Sequence, residues 1–224
     1  MKAMEEIRRE AHGSAGARQY RPRCLRCRRP NAGCYCALVK PFESAACFVI
    51  LTQPREAKHR LGTGRMARLC LRNSLLLEGA DFSQDDRVNR EIENPEKFSL
   101  LLYPGRDSIN LSRMTGDERA ALIPCGRRLV VFVLDGTWKS VRKMIRLSPN
   151  LARLPAICFD PPAPSAYRIR RQPRPQCYST VEAIHQAIDL LESGSLDRCQ
   201  SHRPHDNLLE VFHSMVARQL TYPS

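Results

Sequence analysis

The sequence predicts an α/β fold: a mostly parallel sheet covered by helices, with a small cysteine-rich unit at its N-terminal end. Two observations carry this reading. Short apolar runs without polar alternation recur along the chain, the signature of strands buried on both faces. Amphipathic stretches of helical period lie between them, as the crossovers of a parallel sheet require. Size agrees: 224 residues suit one core that needs no disulfide staples, plus an appendage. The expected division is 1–40 for a polar lead-in and a cysteine knuckle, and 41–224 for the main domain. No internal repeat is visible.

The elements follow in order. Residues 1–20 read as the lead-in. Ala46 to Thr52 (ACFVILT) is a buried strand, ended by the turn Gln53-Pro54. Thr63 to Leu77 reads as one helix, with Met66, Leu69, Cys70 and Leu76 near one face. Ser99 to Tyr103 is a second strand, stopped by Pro104-Gly105. Arg128 to Leu134 (RLVVFVL) is the strongest strand signal in the chain. Trp138 to Leu147 is a helix ended by Ser148-Pro149, and Ala156 to Phe159 is a short strand closed by Asp160-Pro161-Pro162. Thr180 to Leu191 and Asn207 to Leu220 are helices. The last turns Leu208, Val211, Phe212, Met215 and Val216 toward the core.

Composition narrows the function classes. Hydrophobic residues make up 42% and charged residues 26%, which argues against disorder. The longest apolar run, Ala45 to Leu51, falls far short of the roughly 18 residues of a spanning helix. The charged start of the chain has no signal-peptide core, so a soluble, cytoplasmic protein is expected. Lys plus Arg number 36 against 23 acids, a net charge of +13, and thirty of the basic residues are Arg. Arginine's planar fork suits phosphate oxygens. The arginines also cluster, at 18–29 and again at 168–174. A GC-rich genome would raise arginine generally, but clustering favours a nucleic-acid partner.

Six of the ten cysteines (Cys47, Cys70, Cys125, Cys158, Cys177 and Cys199) are scattered and read as small core residues. The other four form two pairs, Cys24-x-x-Cys27 and Cys34-x-Cys36. A Cys-x-x-Cys knuckle chelates through both sulfurs, and Pro30, Asn31 and Gly33 turn the chain toward the second pair. Four thiolates close a coordination sphere, so a metal here would be structural. Zinc is the first expectation, with an iron–sulfur cluster or free thiols as alternatives. Arg23, Arg26, Arg28 and Arg29 would offset the negative site and offer contacts to RNA.

Ligands of parallel sheets bind beyond the carboxyl ends of the strands, so chemistry is sought in the loops there. The chain has no Gly-x-Gly-x-x-Gly, no Walker A sequence and no His-Glu-x-x-His. Asp135-Gly136-Thr137-Trp138 is the most informative segment. It puts a carboxylate at the end of a buried strand and a capping hydroxyl before a helix. Asp135 could take a proton, hold an amine or cap the helix. Trp138, the one tryptophan, could stack on a ligand or pack in the core. The helix after it carries Lys139, Arg142, Lys143 and Arg146, with Arg142 and Arg146 on one face as a phosphate-binding edge. Ser179-Thr180-Val181-Glu182 reads as a capping box, and a helix start of this kind can also receive a carboxylate.

Taken together, these segments resemble the DTW-domain family, the tRNA-uridine aminocarboxypropyltransferases. The matching pieces are the four paired cysteines, Gln53-Pro54-Arg55-Glu56 leading to Thr63, Leu102-Tyr103-Pro104, Leu134-Asp135-Gly136-Thr137-Trp138, Tyr167-Arg168 through Arg171, and Ser179-Thr180-Val181-Glu182-Ala183. The signature is an Asp, one residue, then Thr-Trp, and the likeness spans roughly residues 20–220. Gln53 departs from the histidine expected in many relatives and is given no catalytic role.

The resemblance implies a fold similar to the SPOUT superfamily, with a trefoil knot in its C-terminal part, against the general rule. It implies S-adenosylmethionine (SAM) as donor, its 3-amino-3-carboxypropyl arm as the group moved, N3 of a tRNA uridine as acceptor, and methylthioadenosine as leaving product. The donor-binding residues would be Tyr103, Pro104, Gly105, Asp135, Gly136, Thr137, Trp138, Ser179, Thr180 and Glu182. Asp135 would be the base for N3–H, or would instead hold the donor's ammonium. RNA would be met by Arg26, Arg28, Arg29, Arg142, Lys143, Arg146, Arg168, Arg170 and Arg171. A monomer or a homodimer would serve. Two alternatives stand beside this: a SPOUT-like RNA methyltransferase, separable by the mass added to RNA, and a non-catalytic zinc-knuckle RNA-binding protein, separable by lack of SAM binding.

Overall fold

A computed structural model describes residues 22–170, 176–192 and 203–221. In chain order the elements are β1 (Cys47–Thr52), α1 (Pro54–Ala57), α2 (Gly64–Cys70), β2 (Ser74–Glu78), α3 (Asp86–Glu93), β3 (Lys97–Leu102) and β4 (Ile109–Asn110). There follow α4 (Gly116–Ala121), β5 (Arg128–Asp135), α5 (Trp138–Leu147), α6 (Pro149–Ala152), β6 (Ala156–Cys158), α7 (Thr180–Glu192) and α8 (Asp206–Thr221). The strands form one six-stranded sheet in the order β2-β1-β5-β3-β6-β4, with every pairing parallel.

The apolar runs are buried on both faces, as the lack of alternation in the sequence requires. Phe48 and Ile50 of β1, Val131 and Val133 of β5, and Leu100 of β3 face one way. There they join Met66 of α2, Ile184 of α7, and Val211 and Phe212 of α8 in one core. Val49, Leu51, Val130, Phe132 and Leu101 face the other way, against Phe82, Val88 of α3, Met144 of α5 and Leu151 of α6. Each such side chain taken from water contributes roughly 1.5–3 kcal/mol, so the two layers hold the sheet firmly. All five core residues expected on the last helix are buried.

β5 is inserted between β1 and β3, so the chain departs to either side of it. In the ladders Thr52 stands opposite both Asp135 and Glu78, and Leu102 lies level with Val133. The carboxyl ends of the central strands therefore share one edge, with Asp135 at its centre. A crevice opens there because the connections on the two sides diverge.

One expected element is corrected. Residues 63–77 are not a single helix: α2 stops at Cys70 and β2 starts at Ser74. The Asn73 amide donates to the carbonyls of Ser44 (2.7 Å) and Ala46 (3.1 Å), which pins the turn beside the start of β1. The run Leu75–Leu77 then pairs with β1 as an edge strand. The polar helices α3 and α4 and the two-residue β4 have no counterpart among the expected elements. Among the scattered cysteines Cys70 is buried, but Cys125 is exposed and Cys47, Cys158 and Cys177 are half-buried; Cys199 lies outside the described residues. The expected trefoil would be threaded in the C-terminal part of the chain, where residues 171–175 and 193–202 lie outside the described residues.

The cysteine knuckle packs onto the larger core. Cys27 and Tyr35 belong to the same buried cluster as Phe42, Met66 and Cys70. Arg29 donates to Gln219 (3.1 Å) and Arg218 to the Cys34 carbonyl (3.0 Å), tying the knuckle to the end of α8. Arg28 adopts a left-handed backbone (φ 60°), a conformation that strains a side-chain-bearing residue by roughly 1–2 kcal/mol.

Candidate active site

Beyond the carboxyl ends of β3, β5 and β6 lies a cavity of about 920 Å³. That volume suits a nucleoside-sized ligand. The cavity receives Tyr103 and Pro104 after β3, the whole of Asp135-Gly136-Thr137-Trp138, Phe159 after β6, and Ser179 and Thr180 at the start of α7. The sequence-predicted segments thus converge from three loops and one helix. Tyr103 and Trp138 lean together with ring centres 6.5 Å apart, and Phe159 and Tyr178 with centres 5.8 Å apart. Two tilted aromatic pairs give a flat base surfaces to stack on. Gly105 lies just outside the lining, its amide donating to Ser108 Oγ (2.7 Å) in the turn that sets Tyr103.

Asp135 is a buried acid of the cavity lining and the first candidate for its chemistry. It is only 4% exposed. Thr180 Oγ1 donates to its Oδ1 at 2.6 Å. Burial pushes its carboxyl up to about 6, partly opposed by the Thr180 hydrogen bond and reinforced by the negative charge of nearby Glu56. A carboxylate held near this value can accept a proton at neutral pH, the property a general base needs. Thr137 caps α5 as expected, accepting from the Ser140 amide at 3.3 Å, which leaves Asp135 free of that duty.

Several residues named from the sequence take roles here that the sequence did not assign them. Glu56, at the end of the Gln53–Glu56 segment, is 6% exposed and lines the cavity. Arg170 grips it bidentately, at 2.5 and 2.8 Å. A separation of 114 residues hides this pair. Gln53 has a structural duty: its Oε1 accepts from the amides of Arg55 (2.7 Å) and Glu56 (3.2 Å), capping α1 and so placing Glu56. Tyr167, buried against Phe212, donates its hydroxyl to the Leu61 carbonyl. Gly64 matters through what it lacks. A Cβ there would lie 2.5 Å from Asp135 Oδ2 and 3.2 Å from Ile50 Cγ2. Gly64→Ala is therefore expected to displace the Asp135 carboxylate and cut turnover at least tenfold, with a melting point lowered by only a few degrees. Steady-state kinetics beside a melting curve checks this.

Other expected site residues take different positions. Glu182 lies outside the cavity lining and is fully engaged. Its carboxylate accepts from Ser165 Oγ, the Ala166 amide, and the amide and hydroxyl of Ser179, all at 2.7–3.1 Å. It fastens the 165–167 loop to the start of α7. Of the arginines, Arg26, Arg28 and Arg168 are exposed, as are Arg142, Lys143 and Arg146 on the outer face of α5. Arg142 also lines the cavity mouth. Arg29 is buried, and Arg170 is held by Glu56. Arg171 lies outside the described residues.

The four knuckle cysteines bring their sulfurs within 4.8 Å of one another. Cys24 and Cys36 are 3.7 Å apart, as are Cys27 and Cys34. Zn–S bonds of about 2.3 Å in a tetrahedron separate sulfurs by about 3.8 Å, so the arrangement fits one zinc ion. A multi-iron cluster gives thiolates separate metals and spreads them further. Backbone amides of the turn, those of Cys27 and Arg26, draw the Cys24 thiol down to about 6, while burial pushes the Cys27 and Cys36 thiols up.

Comparison with known proteins bears on this geometry. A family model for the DTW domain matches residues 21–220. The chain belongs to the DTW-domain family. It is 33% identical over 187 residues to tRNA-uridine aminocarboxypropyltransferase 2 of Drosophila melanogaster, covering 80% of this chain and 70% of that one. It is 31% identical over 180 residues to the Mus musculus protein of the same name, covering 78% and 58%. With tRNA-uridine aminocarboxypropyltransferase A of Arabidopsis thaliana the identity is 24% over 197 residues, covering 75% and 72%. No solved structure matches. The DTW signature falls on Asp135, Thr137 and Trp138, the segment at the centre of the cavity wall.

Proposed function

We propose that this DTW-domain chain transfers the 3-amino-3-carboxypropyl group of SAM to N3 of a uridine in tRNA. The observation that carries the reading is the buried Asp135, at the meeting point of an aromatic-lined cavity and the edge of the central strand. SAM supplies an activated carbon: its Cγ–S bond breaks with the electron pair going to sulfur, leaving neutral methylthioadenosine, as the N3–Cγ bond forms. Asp135 accepts the proton from N3 and passes it to water. Thr180 holds the carboxylate in place through its 2.6 Å bond. Tyr103 and Trp138 on one side, and Phe159 and Tyr178 on the other, offer stacking surfaces for the donor's adenine. The start of α7 at Ser179-Thr180 is suited to the donor's carboxylate. The exposed cations of α5 and Arg168 are offered as contacts to tRNA phosphates. The Cys24, Cys27, Cys34 and Cys36 site would hold zinc in a structural role.

No helix among the described residues is long and apolar enough to cross a membrane. The tRNA-modifying relatives and the basic surface favour an enzyme that meets its tRNA in the cytoplasm.

The co-product tests the reading. Purified protein incubated with SAM and tRNA is expected to release methylthioadenosine in step with uridine loss. Release of S-adenosylhomocysteine instead would establish a methyltransferase. Tight tRNA binding with neither product, and no calorimetric signal with SAM, would leave an RNA-binding protein.

A further inference from the structure

A second, smaller pocket of about 190 Å³ also borders Asp135. It is formed where the cysteine knuckle meets the loop after β1. Arg23 and Arg28 enter it from the knuckle, Lys58 and Arg60 from the loop, and Arg65 from α2. Tyr35 adds an aromatic wall, and Thr52, Glu56 and Asp135 lie on its inner side. Glu56 and Asp135 border both this pocket and the large cavity, so the two hollows meet at the same carboxylates.

The charge is one-sided. Five cations line the pocket. Glu78 lies within 3.6 Å of Arg28 and 3.5 Å of Arg65, and one carboxylate cannot neutralise both. The negative charge of Glu56 is already matched by Arg170. Arg23, Lys58 and Arg60 are exposed, and none of the three makes a salt bridge among the described residues. Arg28 lines this pocket on a left-handed backbone (φ 60°) that glycine would adopt without strain.

We propose that this pocket seats the acceptor nucleotide: a phosphate of the RNA rests on Arg28, Lys58, Arg60 and Arg65, and the base reaches inward to Asp135. The inference rests on the transferase reading above. It separates the two substrates, with the donor in the aromatic cavity, the acceptor in the cationic pocket, and Asp135 between them. The knuckle is then part of the RNA site, because it supplies one wall of the acceptor pocket. Arg29, buried and donating to the Arg60 carbonyl at 3.4 Å, is a positioning residue for the loop that forms the opposite wall.

The test uses the full chain with two variants, Arg28→Gly and the double variant Lys58→Ala, Arg60→Ala. Each is expected to bind a tRNA transcript at least tenfold more weakly near physiological salt. The slope of log affinity against log salt should shrink by about 0.7–0.9 for each phosphate that is no longer neutralised. SAM affinity by calorimetry should not change, and Arg28→Gly should melt no lower than the parent because its backbone strain is relieved. Photo-crosslinking of a transcript containing 4-thiouridine should label peptides from residues 23–35 or 57–65. Unchanged affinity and salt slope in both variants, or crosslinks confined to other segments, would overturn the proposal. If the parent protein binds tRNA but leaves no aminocarboxypropyl group on it, the transferase reading fails, and the binding and crosslinking results still judge the pocket.

Discussion

Asp135→Asn is expected to lower transfer by roughly 10²- to 10⁴-fold, the usual contribution of a general base. The substitution keeps the size of the side chain and an acceptor for Thr180, but removes the basicity. SAM affinity should stay near the parent value. In the parent the pH–rate profile should rise on its acid side through about 6, where Asp135 ionises. In the variant that limb should vanish. Raising the pH should recover part of the rate, because N3 then loses its proton unaided. If Asp135 holds the donor's ammonium instead, SAM binding should weaken and high pH should rescue nothing. Stability should move in the opposite direction. The Asp135 carboxyl is raised from 3.8 in the unfolded chain to about 6 in the fold, so ionising it destabilises the folded state as pH rises through that window. Asp135→Asn should therefore be as stable as the parent or more so at pH 7, by up to about 3 kcal/mol, with the advantage gone below pH 4. A loss of activity with a gain in stability marks a residue kept for chemistry.

Metal loss is expected to have the second large effect. Cys27 is 4% exposed, and its sulfur sits both in the four-thiolate cluster and against the core that includes Phe42 and Met66. Cys27→Ser leaves three thiolates and a buried hydroxyl. One equivalent of zinc should be lost, and stability should fall by about 3 kcal/mol or more. A strong chelator should produce the same fall in the parent and little further fall in the variant. Elemental analysis alongside thermal melting decides it: protein that purifies with neither zinc nor iron and melts alike in chelator would rule the site out. The damage should extend to tRNA binding, since Cys27 and its neighbour Arg28 border the cationic pocket.

Much of this architecture can be read from residues alone, for identifiable reasons. β1, β5 and β6 are continuous apolar runs, and α5 occupies the 138–147 span that its period and its Pro149 stop indicate. The last helix turns its stripe inward as its spacing requires. β2 is illegible because Leu75–Leu77 extends the apolar pattern of α2 without a break, and only pairing with β1 makes it a strand. α3 sets only Val88 and Ile92 against the core, a two-residue stripe too narrow to read in so polar a segment. The site divides in the same way. Asp135, Trp138 and Thr180 announce themselves by following a strand or starting a helix. Glu56 with Arg170 and Gly64 with Asp135 are pairings across the fold, which no local pattern encodes. The second pocket is of this kind too, assembled from the knuckle, a loop and α2.

The central claim is the transfer itself, and nucleoside mass spectrometry tests it most directly. tRNA lacking the modification is incubated with the purified chain and SAM carrying a heavy label in its amino-acid arm, then digested to nucleosides. The account predicts a new uridine derivative, heavier by one labelled aminocarboxypropyl group, which is lost or greatly reduced with Asp135→Asn. A uridine gaining only a methyl group, or no labelled nucleoside from active, SAM-binding protein offered a full tRNA pool, would contradict it.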